Sequence, residues 1–396
     1  HIHFSLLIPA FVGFSEFRDM FARLFPGGGE LDAYRLLQGF DNKSLEADRA
    51  FWALSQKAAA SPALLAVFES NSSDEIPTAL ATTPEGREFL RETSAVLAEF
   101  GRRSDTVQEL GDPSWVEEPR PLFAHLKAVL EGSQDPHDRL AAMAAQREAA
   151  LAQAREALST HPSELRAQFE GLLGAAQHCS VLQEDHNYWI DQRVIHEVRQ
   201  VCMEVGRRLT ADAKLSHPDD VFMFTLPELR ELASGTDSGV TTASQRRTEM
   251  AHWATITPPP MLGTDYGPPP DNPVARAMDR MFGGPPPAPE KTRIRGHAGS
   301  SGKVRGIARL ILTIDDADRL GVGEILVAPT TSPPWTMLFA SAAAVVTDTG
   351  GVLSHCAVVA REYHIPAVVG TGAAVAMIRD GQEIEVDGDA GVVTLL

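Results

Sequence analysis

One stretch of the sequence combines paired glycines with a Ser-His pair at a predicted helix start. Residues 347–370 read TDTGGVLSHCAVVAREYHIPAVVG, a buried strand that leads through Gly350 and Gly351 to Ser354, His355 and a helix. Glycines allow the backbone to turn sharply and to approach a ligand closely. The free N–H groups at a helix start favour an anion and disfavour a protonated imidazole. We therefore expect His355 to be a neutral nucleophile that can accept a phosphoryl group; the alternative is a histidine that only caps the helix.

A second cluster of polar residues lies in the helical half of the sequence, where residues 183–193 read QEDHNYWIDQR. At i, i+4 spacing, Asp185, Trp189 and Arg193 share one face of a helix. An aromatic ring beside acid, histidine and arginine could bind a ring-bearing alcohol, and Asp185 or His186 could take the proton of its hydroxyl. The alternative is a charged helix surface with ordinary i, i+4 pairs. The candidate acceptor-binding residues here are Glu184, Asp185, His186, Trp189 and Arg193.

The charge and cysteine content of the chain exclude several classes of function. With 35 Lys and Arg residues against 53 Asp and Glu residues, the net charge of −18 opposes binding to nucleic acid or to an anionic membrane. Three scattered cysteines without a C-x-x-C motif predict no disulfide framework, no metal site and a reduced, cytoplasmic setting. The longest uncharged apolar run, residues 338–346, is far shorter than the ~20 residues of a membrane-spanning helix. Position 1 is His1 rather than Met, so we expect a fragment of a longer chain rather than a secreted precursor.

Periodicity and composition predict three segments. Residues 1–235 carry helical patterns and almost no strand signals, which predicts an all-α domain. Residues 236–292 are a predicted linker, because eleven of the 27 prolines fall between residues 257 and 290 and should leave no helix or central strand there. Residues 293–396 alternate β-branched segments with short helix patterns, which predicts a compact α/β domain that ends in a hairpin at Asp387-Gly388.

The individual elements of these segments can also be predicted. The clearest helix patterns cover residues 44–60, 84–100, 137–160 and 163–209. The strand candidates are residues 305–313, 324–329, 342–347, 367–369, 383–386 and 392–396. Short helices are expected after Pro334, from His355 and over residues 371–378.

The segment around His355 resembles the phosphohistidine, or swivelling, mobile domain of PEP-utilising enzymes, with the pattern G-G-x-[ST]-S-H-x-A-x-x-A-R-E-x-x-I-P-A-V-V-G. The matching positions are Gly350, Gly351, Ser354, His355, Ala357, Ala360, Arg361, Glu362, Ile365, Pro366 and Gly370. The resemblance implies that His355 is phosphorylated during turnover and that the glycines, Ser354 and Arg361 serve its catalytic site. Leu353 and Cys356 depart from the dikinase pattern, and rifampin phosphotransferases are similar to this chain in tolerating an apolar and a small residue at those positions.

The resemblance extends along most of the chain. Residues 300–306 (SSGKVRG) resemble the opening of the mobile domain, and residues 332–338 (SPPWTML) resemble the segment before its histidine strand. In the helical half, residues 100–119 resemble the G-H-R-x-x-x-E and R-W-x-E-x-P run of rifampin phosphotransferases. This similarity adds Arg103 to the implied acceptor-binding residues.

The same resemblance implies an ATP-dependent, dikinase-type phosphotransferase. The sequence carries neither the glycine-rich loop and acids of an ATP-grasp module nor the repeated βα units of a (β/α)₈ barrel. ATP and Mg²⁺ are therefore expected on an ATP-grasp partner subunit or on a missing domain, which would charge His355.

The implied acceptor of the phosphoryl group is a small molecule with a hydroxyl group. Phenylphosphate synthase and 4-methylbenzyl phosphate synthase resemble this chain in architecture, which implies a phenol or a benzylic alcohol and a multi-subunit complex. One alternative is a fragment of a rifampin-phosphotransferase-like antibiotic kinase. Another is a PEP synthase-like phosphocarrier or regulatory protein without an acceptor of its own.

Overall fold

The computed structural model describes residues 2–28, 30–104, 106, 109–132, 135–256, 263, 271–283, 290–332 and 335–396. The described residues up to 283 form helices, and a sheet with short helices follows from residue 293. The helices of the first part are α1 (Ile2–Leu24), α2 (Glu30–Arg35), α3 (Lys43–Ala60), α4 (Pro62–Ser70), α5 (Ile76–Ala81), α6 (Pro84–Phe100), α7 (Arg120–Gly132), α8 (Pro136–Ala157), α9 (Ser163–His186), a π-helical turn (Asn187–Gln192), α10 (Arg193–Ala211), a 3₁₀ turn (Pro218–Met223), α11 (Leu226–Ser234), α12 (Val240–Ala254) and α13 (Pro273–Phe282).

Several of these helices begin where the sequence supplies a cap. The side chain of Asn42 accepts a hydrogen bond from the first turn of α3 at 3.0 Å, and Thr83 does the same for α6 at 3.0 Å. Pro84 occupies the first position of α6, where its missing N–H costs no hydrogen bond. The predicted helices over residues 44–60 and 84–100 are confirmed to within one residue.

The long helix predicted over residues 163–209 is divided by the π-helical turn. The glycines at positions 171 and 174, which interrupt the sequence pattern, do not interrupt α9. The division comes instead at Asn187–Gln192, where one extra residue enters the helical repeat. Side chains before and after this turn therefore do not keep the i, i+4 alignment of an unbroken α-helix.

The second part is an eight-stranded mixed sheet. Its strands are β1 (Arg293–Arg295), β2 (His297–Ser300), β3 (Lys303–Leu310), β4 (Ile325–Ala328), β5 (Ala344–Thr347), β6 (Ala367–Val369), β7 (Glu383–Asp387) and β8 (Val392–Leu395), and its helices are a 3₁₀ turn (Ile314–Arg319), α14 (Thr336–Phe339), α15 (His355–Glu362) and α16 (Ala374–Met377). The strand order is β1-β8-β7-β3-β4-β5-β6-β2. Strands β3 to β6 are parallel, and the remaining pairs are antiparallel. Strands β4 and β5 are buried along their whole length, as parallel strands covered on both faces are.

The predicted strands and the predicted terminal hairpin are confirmed, since β7 and β8 pair antiparallel around the turn at Asp387-Gly388. Strands β1 and β2 were not predicted. They are short, and β2 contains Gly299, so their sequences carry little of the alternation that marks a strand.

The predicted linker over residues 236–292 differs from the structure. Helix α12 occupies its first part, and α13 lies between the proline runs, so the prediction that no helix forms between residues 257 and 290 is wrong. Pro273 stands at the start of α13, the position that a helix tolerates, and the side chain of Asn272 caps that turn with a 2.8 Å hydrogen bond. The proline runs at residues 258–260, 268–270 and 285–287 lie outside the described residues.

A shared hydrophobic core joins the two parts. Phe51, Phe68 and Phe89 of the helices belong to the same buried cluster as Leu326 and Val345 of the sheet. A second cluster places the buried side chain of a loop residue, Leu353, among aromatic side chains of the helices. The structure is thus helix-rich, with a C-terminal mixed sheet packed against the helices. Within the described ranges, no helix has the length and apolar character needed to cross a membrane.

Candidate functional site

His355 is the first residue of α15, and Ser354 is its N-cap in an extended conformation. Four side chains of α15 are buried against the sheet, so the helix holds its first residue in a fixed place. The hydroxyl of Ser354 is buried and has no hydrogen-bond partner in the structure. It stands at the helix start, where a phosphoryl group on His355 would need donors.

The imidazole of His355 lies between two threonine hydroxyls. Thr331 Oγ1 is 3.3 Å from Nδ1, and Thr336 Oγ1 is 3.4 Å from Nε2. The ring of Phe339 meets the imidazole edge-on, with centroids 6.4 Å apart. Burial lowers the pKa of His355 to about 3. The ring is therefore neutral at physiological pH, and one of its nitrogens keeps a lone pair for nucleophilic attack.

The glycine loop before His355 is held by α13. Gly351 N donates to the carbonyl of Met281 at 2.9 Å, and Leu353 N donates to the carbonyl of Arg280 at 3.0 Å. A Cβ at Gly351 would stand 2.1 Å from the Arg280 carbonyl oxygen, so only glycine fits. Gly350 has a φ of 106°, in the region that favours glycine. The two glycines thus permit a turn and a close backbone contact.

Arg361 shapes the same loop from the other side. Its guanidinium donates to the carbonyls of Gly299 and Val352, each at 2.9 Å, and lies over the ring of Tyr34 at 4.3 Å from the centroid. These bonds hold the loop to β2 and to the helical part. Arg361 therefore positions the loop that carries His355.

A cavity of about 700 Å³ lies beside the histidine, between the segment before α7 and the sheet part. Asp112, Trp115 and Glu118 line it from the helical part, and Thr331 and Trp335 line it from the sheet part. Because the hydroxyl of Thr331 also contacts the imidazole of His355, the cavity and the nucleophile share a wall. Its volume is in the range of small-molecule sites.

The residues predicted to bind an acceptor do not line this cavity. Asp185 accepts a hydrogen bond from the backbone of Lys43 at 2.8 Å, and His186 lies 3.3 Å from Asp191. Trp189 is 48% exposed, and Arg193 lies over its ring. The π-helical turn between these residues removes the single face that regular spacing predicts.

Glu184 and Arg103 are both buried, and they differ in how near they lie to the cavity. Glu184 lies at the contact between α9 and α15. Arg103 donates to the carbonyl of Phe100 at 2.8 Å and stacks over Trp115 at 5.4 Å, so it supports a cavity residue. Burial lowers the pKa of Arg103 to about 10. Of the predicted acceptor-binding residues, Arg103 is the one that contacts a residue of the cavity wall, Trp115.

The residues that the sequence analysis did not select are Thr331, Thr336 and Trp115. Trp335 and Thr336 belong to residues 332–338, whose similarity to the segment before the histidine strand was a usable signal. Trp115 lies in the run that resembles rifampin phosphotransferases. Only the folded structure shows that it lines the same cavity as Thr331 of the sheet part. No spacing rule joins positions that are more than 200 residues apart.

Two segments of the chain match known protein families. Residues 320–391 match the family described as PEP-utilising enzyme, mobile domain. Residues 7–184 match the family described as rifampicin phosphotransferase fourth domain. The chain is therefore similar to PEP-utilising enzymes and to rifampicin phosphotransferases over these two segments, and the resemblance found around His355 is confirmed at that level.

Three individual relatives show how far the similarity extends along the chain. The chain is 39% identical over 407 residues to chondramide synthase of Chondromyces crocatus, covering 100% of this chain and 10% of the relative. It is 30% identical to the phosphotransferase YvkC of Bacillus subtilis (strain 168), covering 100% of this chain and 47% of the relative. It is 31% identical to rifampicin phosphotransferase of Streptomyces sviceus, covering 82% of this chain and 36% of the relative. The chain thus spans less than half of each of these relatives.

Proposed function

We propose that this chain is the acceptor-binding and phosphohistidine-bearing portion of an ATP-dependent phosphotransferase. His355 receives a phosphoryl group from an ATP-binding portion and passes it to a hydroxyl group of a small molecule held in the cavity. The observation that carries the proposal is the half-buried, neutral imidazole of His355, whose Nδ1 lies 3.3 Å from the hydroxyl of Thr331, a residue that also lines a cavity of about 700 Å³.

The proposed chemistry consists of two displacements at phosphorus. An imidazole nitrogen of His355 attacks the phosphorus of the donor, a P–N bond forms and the bond to the leaving phosphate oxygen breaks. The acceptor oxygen then attacks, the P–N bond breaks and the proton of the hydroxyl passes to a base. The buried hydroxyl of Ser354 and the start of α15 supply donors to the phosphoryl oxygens. Asp112 and Glu118 are the cavity carboxylates that are able to take the proton.

The walls of the cavity favour an aromatic acceptor. Trp115 and Trp335, whose rings are mostly buried in the core, add apolar atoms to the wall of a cavity that also carries the carboxylates of Asp112 and Glu118. A phenol or benzylic alcohol fits this pattern. A larger antibiotic is the second candidate, because one relative is a rifampicin phosphotransferase. A carrier without its own acceptor is disfavoured, since it needs no cavity beside the histidine.

The source of the phosphoryl group lies outside this chain in the proposal. ATP and Mg²⁺ bind an ATP-grasp subunit or another part of the protein, where Mg²⁺ neutralises the transferred phosphate. The length of YvkC, of which this chain spans 47%, leaves room for such a part on one polypeptide. The three free cysteines support a cytoplasmic location.

The test of the acceptor site separates loading of His355 from discharge. The protein is loaded with radiolabelled ATP and its ATP-binding portion, freed of nucleotide, and mixed with phenol, benzyl alcohol or rifampicin. Thr330→Trp fills the cavity, so loading should persist while transfer to the acceptor is lost. Val322→Trp is the matched control, because Val322 is 56% exposed on the same part of the chain and lies outside the cavity lining. Equal discharge by wild type and Thr330→Trp would place the acceptor elsewhere.

A further inference from the structure

The C-terminal end of α15 is bound to the helical part of the chain. The phenol of Tyr363 donates a hydrogen bond to the carboxylate of Asp48 at 2.6 Å. The guanidinium of Arg139 lies 3.7 Å from the centroid of the Tyr363 ring and 3.4 Å from the same carboxylate. Asp48 and Arg139 belong to α3 and α8. A single tyrosine of the sheet part is therefore bonded and stacked between two helices of the other part.

Two carboxyl groups interact electrostatically across the same contact. Glu184 stands near the end of α9, and Glu362 is the last residue of α15. The side chain of Gln183 donates to the carbonyl of Leu353 at 2.9 Å, which fixes α9 against the histidine loop. Burial raises the pKa of Glu184 to about 7, and burial together with repulsion from Glu184 raises the pKa of Glu362 to about 8.

The other charged groups around the pair come from every element that packs there. Asp48 of α3 and Asp185 of α9 add negative charge near the pair. Arg139 of α8 and Arg361 of α15 favour ionised Glu362, and His186 of α9 favours ionised Glu184. The pKa values of both carboxyls are raised in spite of these cations. The net effect of the contact is therefore to retain a proton.

We propose that this contact is a proton-linked latch for the mobile domain. Asp48 and Tyr363 are positioning residues that seat α15 on α3 and α8 and thereby hold His355 beside the cavity. Glu184 and Glu362 permit the seated arrangement while at least one of the two carboxyls is protonated, and that proton passes to solvent when the domain leaves. The latch concerns the movement of the domain, so it does not depend on which acceptor the cavity binds.

The direction of the pH effect follows from the raised pKa values. In water a glutamate has an ordinary pKa of about 4.3, so the unseated state binds fewer protons than the seated state. Seating is therefore strongest at low pH. It weakens as the pH rises from the ordinary glutamate pKa of about 4.3 through the raised pKa of about 8. Each proton bound on seating changes the equilibrium about tenfold per pH unit. Between pH 6 and pH 8 we expect seating to weaken on the order of 10- to 100-fold.

Small-angle X-ray scattering of the full chain tests the latch through its shape. Tyr363→Phe removes the hydrogen bond to Asp48 while keeping the ring, and Asp48→Asn provides a second variant in case the first does not fold. Both should have a larger radius of gyration than wild type at pH 6, and this difference should grow toward pH 8. Adding Glu362→Gln, which needs no proton, should make the radius of gyration independent of pH.

Glu383→Gln is the matched control, because Glu383 pairs with Arg305 on β3, away from the contact. In the Tyr363→Phe background it should leave the pH response unchanged. Circular dichroism confirms that each variant is folded. If both latch variants are as compact as wild type at every pH, the positioning role is wrong. If Glu362→Gln leaves the pH response intact, or if neither latch variant responds to pH, the proton link is wrong. No ATP or acceptor is present, so these outcomes are independent of the proposed function.

Discussion

The contact between α13 and the histidine loop gives a prediction that can be worked out in numbers. Gly351 packs directly against the backbone at the end of α13. A Cβ there would stand 2.1 Å from the carbonyl oxygen of Arg280, 2.7 Å from its carbonyl carbon and 2.9 Å from the nitrogen of Gly283. All three atoms are backbone atoms, so no side chain can rotate away. Gly351→Ala should therefore separate the loop from α13.

The cost of this separation has two parts. Overpacking a closely packed contact costs about 1–3 kcal/mol. Moving the loop also breaks the bonds from Gly351 N to Met281 and from Leu353 N to Arg280, at about 1 kcal/mol each. Because the displaced groups recover part of this loss in water, we expect a local destabilisation of about 2–4 kcal/mol. The same change corresponds to about 30- to 700-fold faster opening of the loop.

Amide hydrogen exchange at Leu353 measures this opening directly. Its N–H is bonded to α13 in the wild type, and its own residue type is unchanged in the variant. Gly171→Ala is the matched control, since a Cβ there meets nothing within 4 Å in the middle of α9, and it should stabilise that helix by about 0.5–1 kcal/mol. Unchanged exchange at Leu353 in Gly351→Ala would refute the close contact between α13 and the loop.

Three further predictions concern the site and its titrating groups. Thr331→Val removes one hydroxyl from the imidazole and should slow loading of His355 up to about tenfold, as measured by phosphoryl incorporation. With a pKa of about 3, His355 should load equally well at pH 5 and pH 8, and a loss of loading around pH 6.5 would contradict its burial. If Asp112 takes the acceptor proton, Asp112→Asn should slow discharge by about 10²–10⁴-fold. Asp185→Asn should leave discharge unchanged, because Asp185 is bonded to the backbone of Lys43 and does not line the cavity. The reverse result would restore the acceptor site that was first predicted from the helix pattern.

One more prediction concerns stability. Burial is the largest single influence on His186 and opposes its protonation, but the hydrogen bond to Asp191, the charges of Asp191 and Glu184 and a backbone hydrogen bond at Gln183 together outweigh it and raise the pKa of His186. Protonated His186 therefore stabilises the folded state. This stabilisation is complete below the ordinary histidine pKa of about 6.5 and is lost as the pH rises through the raised pKa of His186 in the folded state. The free energy of unfolding should therefore fall over this interval in the wild type and fall less in His186→Gln, measured by urea unfolding at a series of pH values. Identical pH profiles would contradict the pair.

The elements of the fold could be predicted where local sequence decides them. Helix α6 follows Thr83 and Pro84, and the hairpin of β7 and β8 follows Asp387-Gly388. Helix α13 was missed because proline content was averaged over the whole segment, whereas Pro273 occupies the one helical position that accepts it. The π-helical turn has no local signature in the sequence, and three of its six residues are buried in the structure.

The candidate site was predictable only in its local part. The glycines, Ser354 and His355 stand next to one another in sequence, and the structure gathers them at the start of α15. The cavity joins Trp115 to Thr331, and the latch joins Asp48 to Tyr363, across more than 200 residues. Periodicity describes one element at a time, so it could not place these pairs together. For the same reason, the i, i+4 spacing of one helix predicted an acceptor site at Asp185 and could not predict the cavity.

The central claim is that His355 carries the phosphoryl group. The direct measurement is to incubate the chain with its ATP-binding portion, Mg²⁺ and radiolabelled ATP, and then to locate the label by peptide mass spectrometry under alkaline conditions. We predict one acid-labile phosphoryl group on His355, which is absent in His355→Ala and present in His364→Ala. A label on Ser354, or on another histidine in the wild type, would contradict the claim.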